Sequence, residues 1–100
     1  GESTEGVRRR VVQARERAMA RQGSANQALE GQAIDTQCQL DPAAAKFLNV
    51  AATRLGWSGR GIHRCLKVAR TIADLAGAET VQITHVAEAV QYRRVLKAAH

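Results

Sequence analysis

Residues 41–77 read DPAAAKFLNVAATRLGWSGRGIHRCLKVARTIADLAG and decide the fold. Asp41 before Pro42 is a helix-start signal. The carboxylate can accept from free first-turn amides, and proline at the first helical position gives up an N–H that has no partner there. The spacing predicts a helix over Pro42–Leu55 closed by Gly56, buried through Ala44, Phe47, Leu48, Ala51 and Leu55, with Lys46, Asn49 and Thr53 pointing elsewhere. Ser58 caps a second run, in which Ile62, Cys65, Leu66, Ala69, Ile72, Ala73 and Ala76 fall within one apolar arc until Gly77 ends it. Opposite that arc lie Arg60, Arg64, Lys67, Thr71 and Asp74.

Outward from this pair the pattern stays helical. Residues 1–6 are polar and read as a flexible segment, and residues 7–21 repeat Val7, Val11, Ala14 and Ala18 at helical spacing. That helix carries Arg8, Arg9, Arg10, Arg15, Arg17 and Arg21 on a thin apolar stripe, so it is expected to dock loosely. Residues 22–29 read as a loop, and Ile34 and Cys38 mark a short helix within 31–39. Beyond Gly77, residues 78–83 form an extended link through Val81 and Ile83. Thr84 then caps a last helix from His85 to about Lys97, buried through Val86, Ala89, Val90 and Leu96. The expectation is one all-α domain over 7–100, a small bundle of four to five helices.

Composition narrows the function. Of 100 residues 45% are hydrophobic but only 3% aromatic, so the core is built from Ala, Val, Leu and Ile in close-packed helices. No run reaches the roughly 18–20 apolar residues of a membrane span, and no apolar signal core follows the N-terminus, which implies a soluble, cytoplasmic domain without a membrane partner. Cys38 and Cys65 lack CxxC spacing and read as reduced, buried thiols. His63, His85 and His100 show no metal-ligand spacing, and His63 and Cys65, two apart on a helix, point apart. No GxxxxGK[ST] loop and no apolar run ending in paired acids is present, so the chain is not expected to hydrolyse a nucleoside triphosphate alone.

One constellation stands out. Residues 56–70, GWSGRGIHRCLKVAR, carry Arg60, Arg64, Lys67 and Arg70 close to Arg54, with no acidic residue between Asp41 and Asp74. A helix start bearing an arginine is a ready anion site, because free amides and a guanidinium fork point at the same place. For an arbitrary helix a solvated basic face is the commoner reading.

The run from Ser58 to Leu75, SGRGIHRCLKVARTIADL, resembles the C-terminal signature of magnesium-chelatase-like AAA+ ATPases of the ComM/YifB competence-protein type. The resemblance extends to GESTEGVRRRVVQAR at the start and to Asn26 and Leu29. It continues through Cys38-Gln39-Leu40-Asp41 and His85-Val86-Ala87-Glu88-Ala89 to Gln91-Tyr92-Arg93. The chain departs from the family at Ala18 and Met19, where a glutamine is usual, and at Cys65, which replaces a larger aliphatic residue. The resemblance implies a helical lid that follows a nucleotide-binding core and supplies the sensor-2 arginine, which maps onto Arg60, with Arg64, one turn on, either a second nucleotide contact or a solvent or interface residue. It implies ATP and magnesium in the full-length protein, partners in its own core and in neighbouring subunits of a ring, and DNA remodelling as the family activity. Two other classes compete. The charge of +6 suits a free-standing basic nucleic-acid-binding module, though aromatics for stacking are scarce. More weakly, residues 72–89 resemble half of a histone fold, which would make the chain a helical interaction module.

Overall fold

A computed structural model describes the backbone of residues 3–98 and the side chains of residues 3–94. The described residues form five α-helices: α1 (Thr4–Gln22), α2 (Gln32–Gln37), α3 (Pro42–Leu55), α4 (Gly59–Leu75) and α5 (Ile83–Ala98), with a 3₁₀ turn at Asn26–Ala28. The fold is all-α, as the sequence predicts. Helix α4 is central: α1 and α5 pack against it, and α3 packs on α5. The expected burial of Leu96, and anything concerning His100, lie outside the described residues.

Local signals set the boundaries. The Ser3 hydroxyl accepts the Gly6 N–H at 3.1 Å, so α1 begins at Thr4 and the loop expected at 1–6 is helical from that residue. Asp41 accepts from the Ala44 N–H at 2.7 Å, and Ser58 from the Gly61 N–H at 3.3 Å, as their capping roles require. Gly56 closes α3 in the left-handed region at φ 65. At α5 the expectation fails: Thr84 is not the cap. The helix starts at Ile83, and the Gln82 N–H donates to His85 Nδ1 at 2.9 Å, a side chain returning to the helix start from three residues on. Val81 pairs with Leu40 in a lone parallel bridge, joining the two chain segments that lead into α3 and α5.

The core follows the predicted arc with local corrections. Cys65, Leu66, Ala69 and Ala73 are buried with Leu48, Val81, Val86 and Ala89. Leu55 is exposed, because Ala52, one turn earlier, is the last buried position of α3, and Ala76, the C-cap residue of α4, is exposed too. Both cysteines are buried free thiols, and burial pushes each up to about 11.

The largest departure is at Asp74 and Arg70, read from sequence as a solvent-facing acid and part of the basic constellation. Both are buried. Asp74 Oδ1 accepts from Arg21 Nη1 at 2.9 Å and Arg70 Nη2 at 3.0 Å; Oδ2 accepts from Asn26 Nδ2 at 2.9 Å and Arg21 Nη2 at 3.1 Å. Arg70 also donates to the carbonyls of Ala78 and Glu79, and Arg17 to the Asp74 carbonyl at 2.8 Å. Burial by itself would raise the Asp74 carboxyl. The hydrogen bonds from Arg21 and Asn26 and the charges of Arg70 and Arg21 outweigh it and hold the group below the ordinary carboxylate value. This knot anchors the C-terminal half of α1 to α4. Loose docking is confined to the first turns, where Val7, Val11 and Val12 are 42%, 53% and 48% exposed and only Ala14 and Ala18 are buried.

Candidate functional site: the cationic start of helix α4

Arg60 is the second residue of α4 and is exposed. Ser58 satisfies the Gly61 amide through its hydroxyl and the Ile62 amide through its carbonyl at 3.0 Å, which leaves the Gly59 and Arg60 amides as the helix's orphan donors. A cation here is electrostatically misplaced unless an anion faces it, since the helix N-terminus already carries about half a positive charge. Among the described residues Arg60 has no hydrogen bond or ion pair.

Arg60, His63, Arg64 and Lys67 form one wall of a depression of about 540 Å³, faced by Leu29, Glu30, Gly31 and Ile34. The structure thus brings Arg60 and Arg64 together with Lys67, as the spacing predicts. It removes Arg70 to the buried knot and leaves Arg54 in the last turn of α3, outside the depression. Lys67 is partly engaged: its Nζ donates to the carbonyls of Gln27 at 3.0 Å and Leu29 at 3.3 Å, tying the preceding loop to α4. His63 Nε2 lies 3.9 Å from Asp35 Oδ1. Among the described residues no group of three or more His, Cys, Asp or Glu side chains could hold a metal ion. The donor set here suits phosphate oxygens, not magnesium.

Sequence reasoning missed two participants. Glu30 supplies an acidic edge to the depression from the loop before α2. Arg93 of α5 lays its guanidinium over Trp57, with Cζ 4.8 Å from the ring centroid, beside the α4 start. The only advance signal was Trp57 immediately before the capping Ser58. A second groove, of about 700 Å³, runs between α4 and α5 over Cys65, Val68, Ile72 and Ala89, with Arg64 and Lys67 common to both hollows. No helix among the described residues is long and apolar enough to cross a membrane.

The described residues thus form five helices, with Arg60 exposed at the capped start of the central one. Residues 1–93 match the family described as magnesium chelatase, subunit ChlI C-terminal, and the chain belongs to that family, the C-terminal lid domains of magnesium-chelatase-like AAA+ proteins. It is 42% identical over 97 residues to the competence protein ComM of Haemophilus influenzae, covering 97% of this chain and 19% of that protein. It is 43% identical over 95 residues to the YifB protein of Salmonella typhimurium, again 19% of the relative's length. A Mycobacterium tuberculosis protein, Rv2897c, is 38% identical over 98 residues and is matched over 20% of its length. The chain therefore spans about a fifth of the relatives it resembles.

Proposed function

We propose that this domain is the sensor-2 lid of a ring-forming AAA+ ATPase, in which Arg60 senses the terminal phosphate of ATP held by the rest of the polypeptide. The observation that carries the reading is the exposed guanidinium of Arg60 on the first turn of α4, which has no partner among the described residues. There it conflicts with the helix dipole until a phosphate arrives. Arg64, one turn on, makes a second contact to the same anion. Magnesium and the phosphate-binding loop belong to the core, so the isolated lid is not an enzyme.

The fold supports transmission of that contact. Helix α4 has 17 residues, about 25 Å of rigid rise, with Arg60 at one end and the Asp74 knot gripping α1 at the other. Movement of Arg60 on loss of the phosphate swings α4 and carries α1 with it, a rigid-body lid rotation. We propose further that this rotation is coupled to DNA remodelling in competence or recombination, as the family resemblance implies; the Haemophilus relative is named a competence protein. The free-standing nucleic-acid module has less support, because Arg17 and Arg21 of the basic first helix are engaged at Asp74.

The test is nucleotide binding by full-length protein with Arg60→Ala. A hydrogen bond between charged groups contributes about 1.5–3 kcal/mol, so affinity for a non-hydrolysable ATP analogue should fall roughly 10- to 100-fold while ADP affinity holds. Equal loss for both nucleotides, or none for either, would refute a γ-phosphate role.

A further inference from the structure

Trp57, Gly61 and Arg93 form an arrangement that the proposed function leaves unused. Trp57 is the middle one of the three residues linking α3 to α4, between Gly56 and Ser58, and its N–H donates to the Ala52 carbonyl at 3.0 Å. Arg93 reaches from α5 to cover its indole, 4.8 Å from Cζ to the ring centroid, within cation–π range. The same guanidinium occupies the space above Gly61, where a Cβ would meet Arg93 Nη2 at 2.9 Å. Gly61 has no positive φ, so the close approach, and not the backbone conformation, is what favours glycine there. Glycine inside a helix lowers helix propensity, and here it leaves space for the Arg93 guanidinium, which a Cβ would push aside.

Electrostatics oppose this placement. Arg93 lies at the positive end of α4, beside Arg64, in a groove lined by no acidic side chain, and its buried Nε has no hydrogen-bond partner among the described residues. The arginines that stabilise this domain look different: Arg70 and Arg21 are aimed at a carboxylate. What Arg93 achieves instead is a grip on the link from both sides, on the indole before Ser58 and on the first turn of α4 after it. Arg60 sits between Gly59 and Gly61, the two residues least able to fix its direction unaided.

We infer that Arg93, closing on Trp57 through the gap at Gly61, is a clamp that positions Arg60 toward the nucleotide. The inference rests on the reading of Arg60 given above. Arg93 touches no nucleotide in this scheme; it is a positioning residue acting through Trp57 and the α4 start.

The experiment uses the full-length protein with Trp57→Leu, Trp57→Phe, Arg93→Lys, Arg60→Ala and the Arg60→Ala, Trp57→Leu double variant. Amide hydrogen exchange over residues 57–64 and steady-state ATP turnover are both read. Trp57→Leu should speed exchange of the Gly61 and Ile62 amides by about tenfold while α1 is unchanged, and lower kcat/KM for ATP several-fold, with KM for ATP raised as Arg60 loses its hold on the phosphate. Trp57→Phe, which keeps the ring face, should restore most of the rate. Arg93→Lys, which keeps charge but loses the planar stack, should not. On the Arg60→Ala background Trp57→Leu should cost nothing further. Unchanged exchange in Trp57→Leu overturns the clamp, and equal losses with and without Arg60 assign Trp57 a merely structural role. If Trp57→Leu loosens α1 as well, Arg93→Lys decides: wild-type turnover in that variant overturns the inference. Wild-type turnover in Arg60→Ala is a separate result, which overturns the sensor reading and, with it, any positioning role for the clamp.

Discussion

Replacing Asp74 by alanine should strongly destabilise the domain. The carboxylate is fully buried and receives four hydrogen bonds, two from Arg21 and one each from Arg70 and Asn26. Removing it strands the Arg70 guanidinium, whose side chain is 2% exposed, with only the Ala78 and Glu79 carbonyls to face. Arg21, 25% exposed, can turn to water, so its share of the loss is small. Breaking one side of a buried pair costs about 3–5 kcal/mol. A domain of this size is stable by about 5–15 kcal/mol. Urea unfolding of the 100-residue chain, followed by far-UV circular dichroism, should therefore show a midpoint lowered by about 1–5 M at unchanged slope. A loss under about 1 kcal/mol would refute the claim that this knot holds α1 on the bundle. The pH dependence gives a second check with a definite sign. Because the folded carboxyl is held below its unfolded value of 3.8, its contribution is present above that pH and is lost as pH falls through the folded value. The acid limb of wild-type stability should accordingly be steeper than that of Asp74→Ala.

Other outcomes follow from the same structure. Cys38 and Cys65, each pushed up to about 11 by burial, should be roughly 0.1% thiolate at pH 8 and react with a thiol reagent only as fast as the domain opens; rapid native labelling would contradict their core positions. The isolated chain should bind DNA weakly and without sequence preference, at roughly 10⁻⁴ to 10⁻⁶ M at physiological salt, with affinity falling steeply as salt rises. Tight, sequence-selective binding in a titration at that salt would favour the free-standing module. Purified alone, the chain should show no ATP turnover in a phosphate-release assay; robust release would overturn its assignment as a lid.

Much of the scaffold was legible because it is written locally. Asp41-Pro42, Gly56 and Ser58 place α3 and the start of α4, since a cap and its amides lie within three residues of each other. The Asp74 knot was not legible. Its partners lie 53 and 48 residues away in Arg21 and Asn26, and periodicity assigns an acid on α4 to solvent without knowing that two arginines converge on it. The same blindness hid the Arg93 stack on Trp57, which joins α5 to a link between other helices. Val7 and Val11 show the converse error: helical spacing marks an apolar stripe but not how far along it a neighbour extends. At the site, Arg60 and Arg64 were readable as one face of one helix, whereas Glu30 enters from a loop that no spacing rule ties to it.

The most direct test compares Arg60→Ala with Arg54→Ala in the full-length protein by steady-state ATP turnover. Arg54, exposed in the last turn of α3, merely complements that helix's dipole, a contribution of about 0.3–1 kcal/mol to stability, and its loss should leave turnover unchanged. Arg60 lies off the buried arc, so Arg60→Ala should keep the helical content of the domain while turnover falls roughly tenfold or more, the loss of at least about 1.4 kcal/mol of phosphate-directed stabilisation. Wild-type turnover in Arg60→Ala, or equal losses in both variants, would contradict the assignment of Arg60 as the residue through which this domain acts.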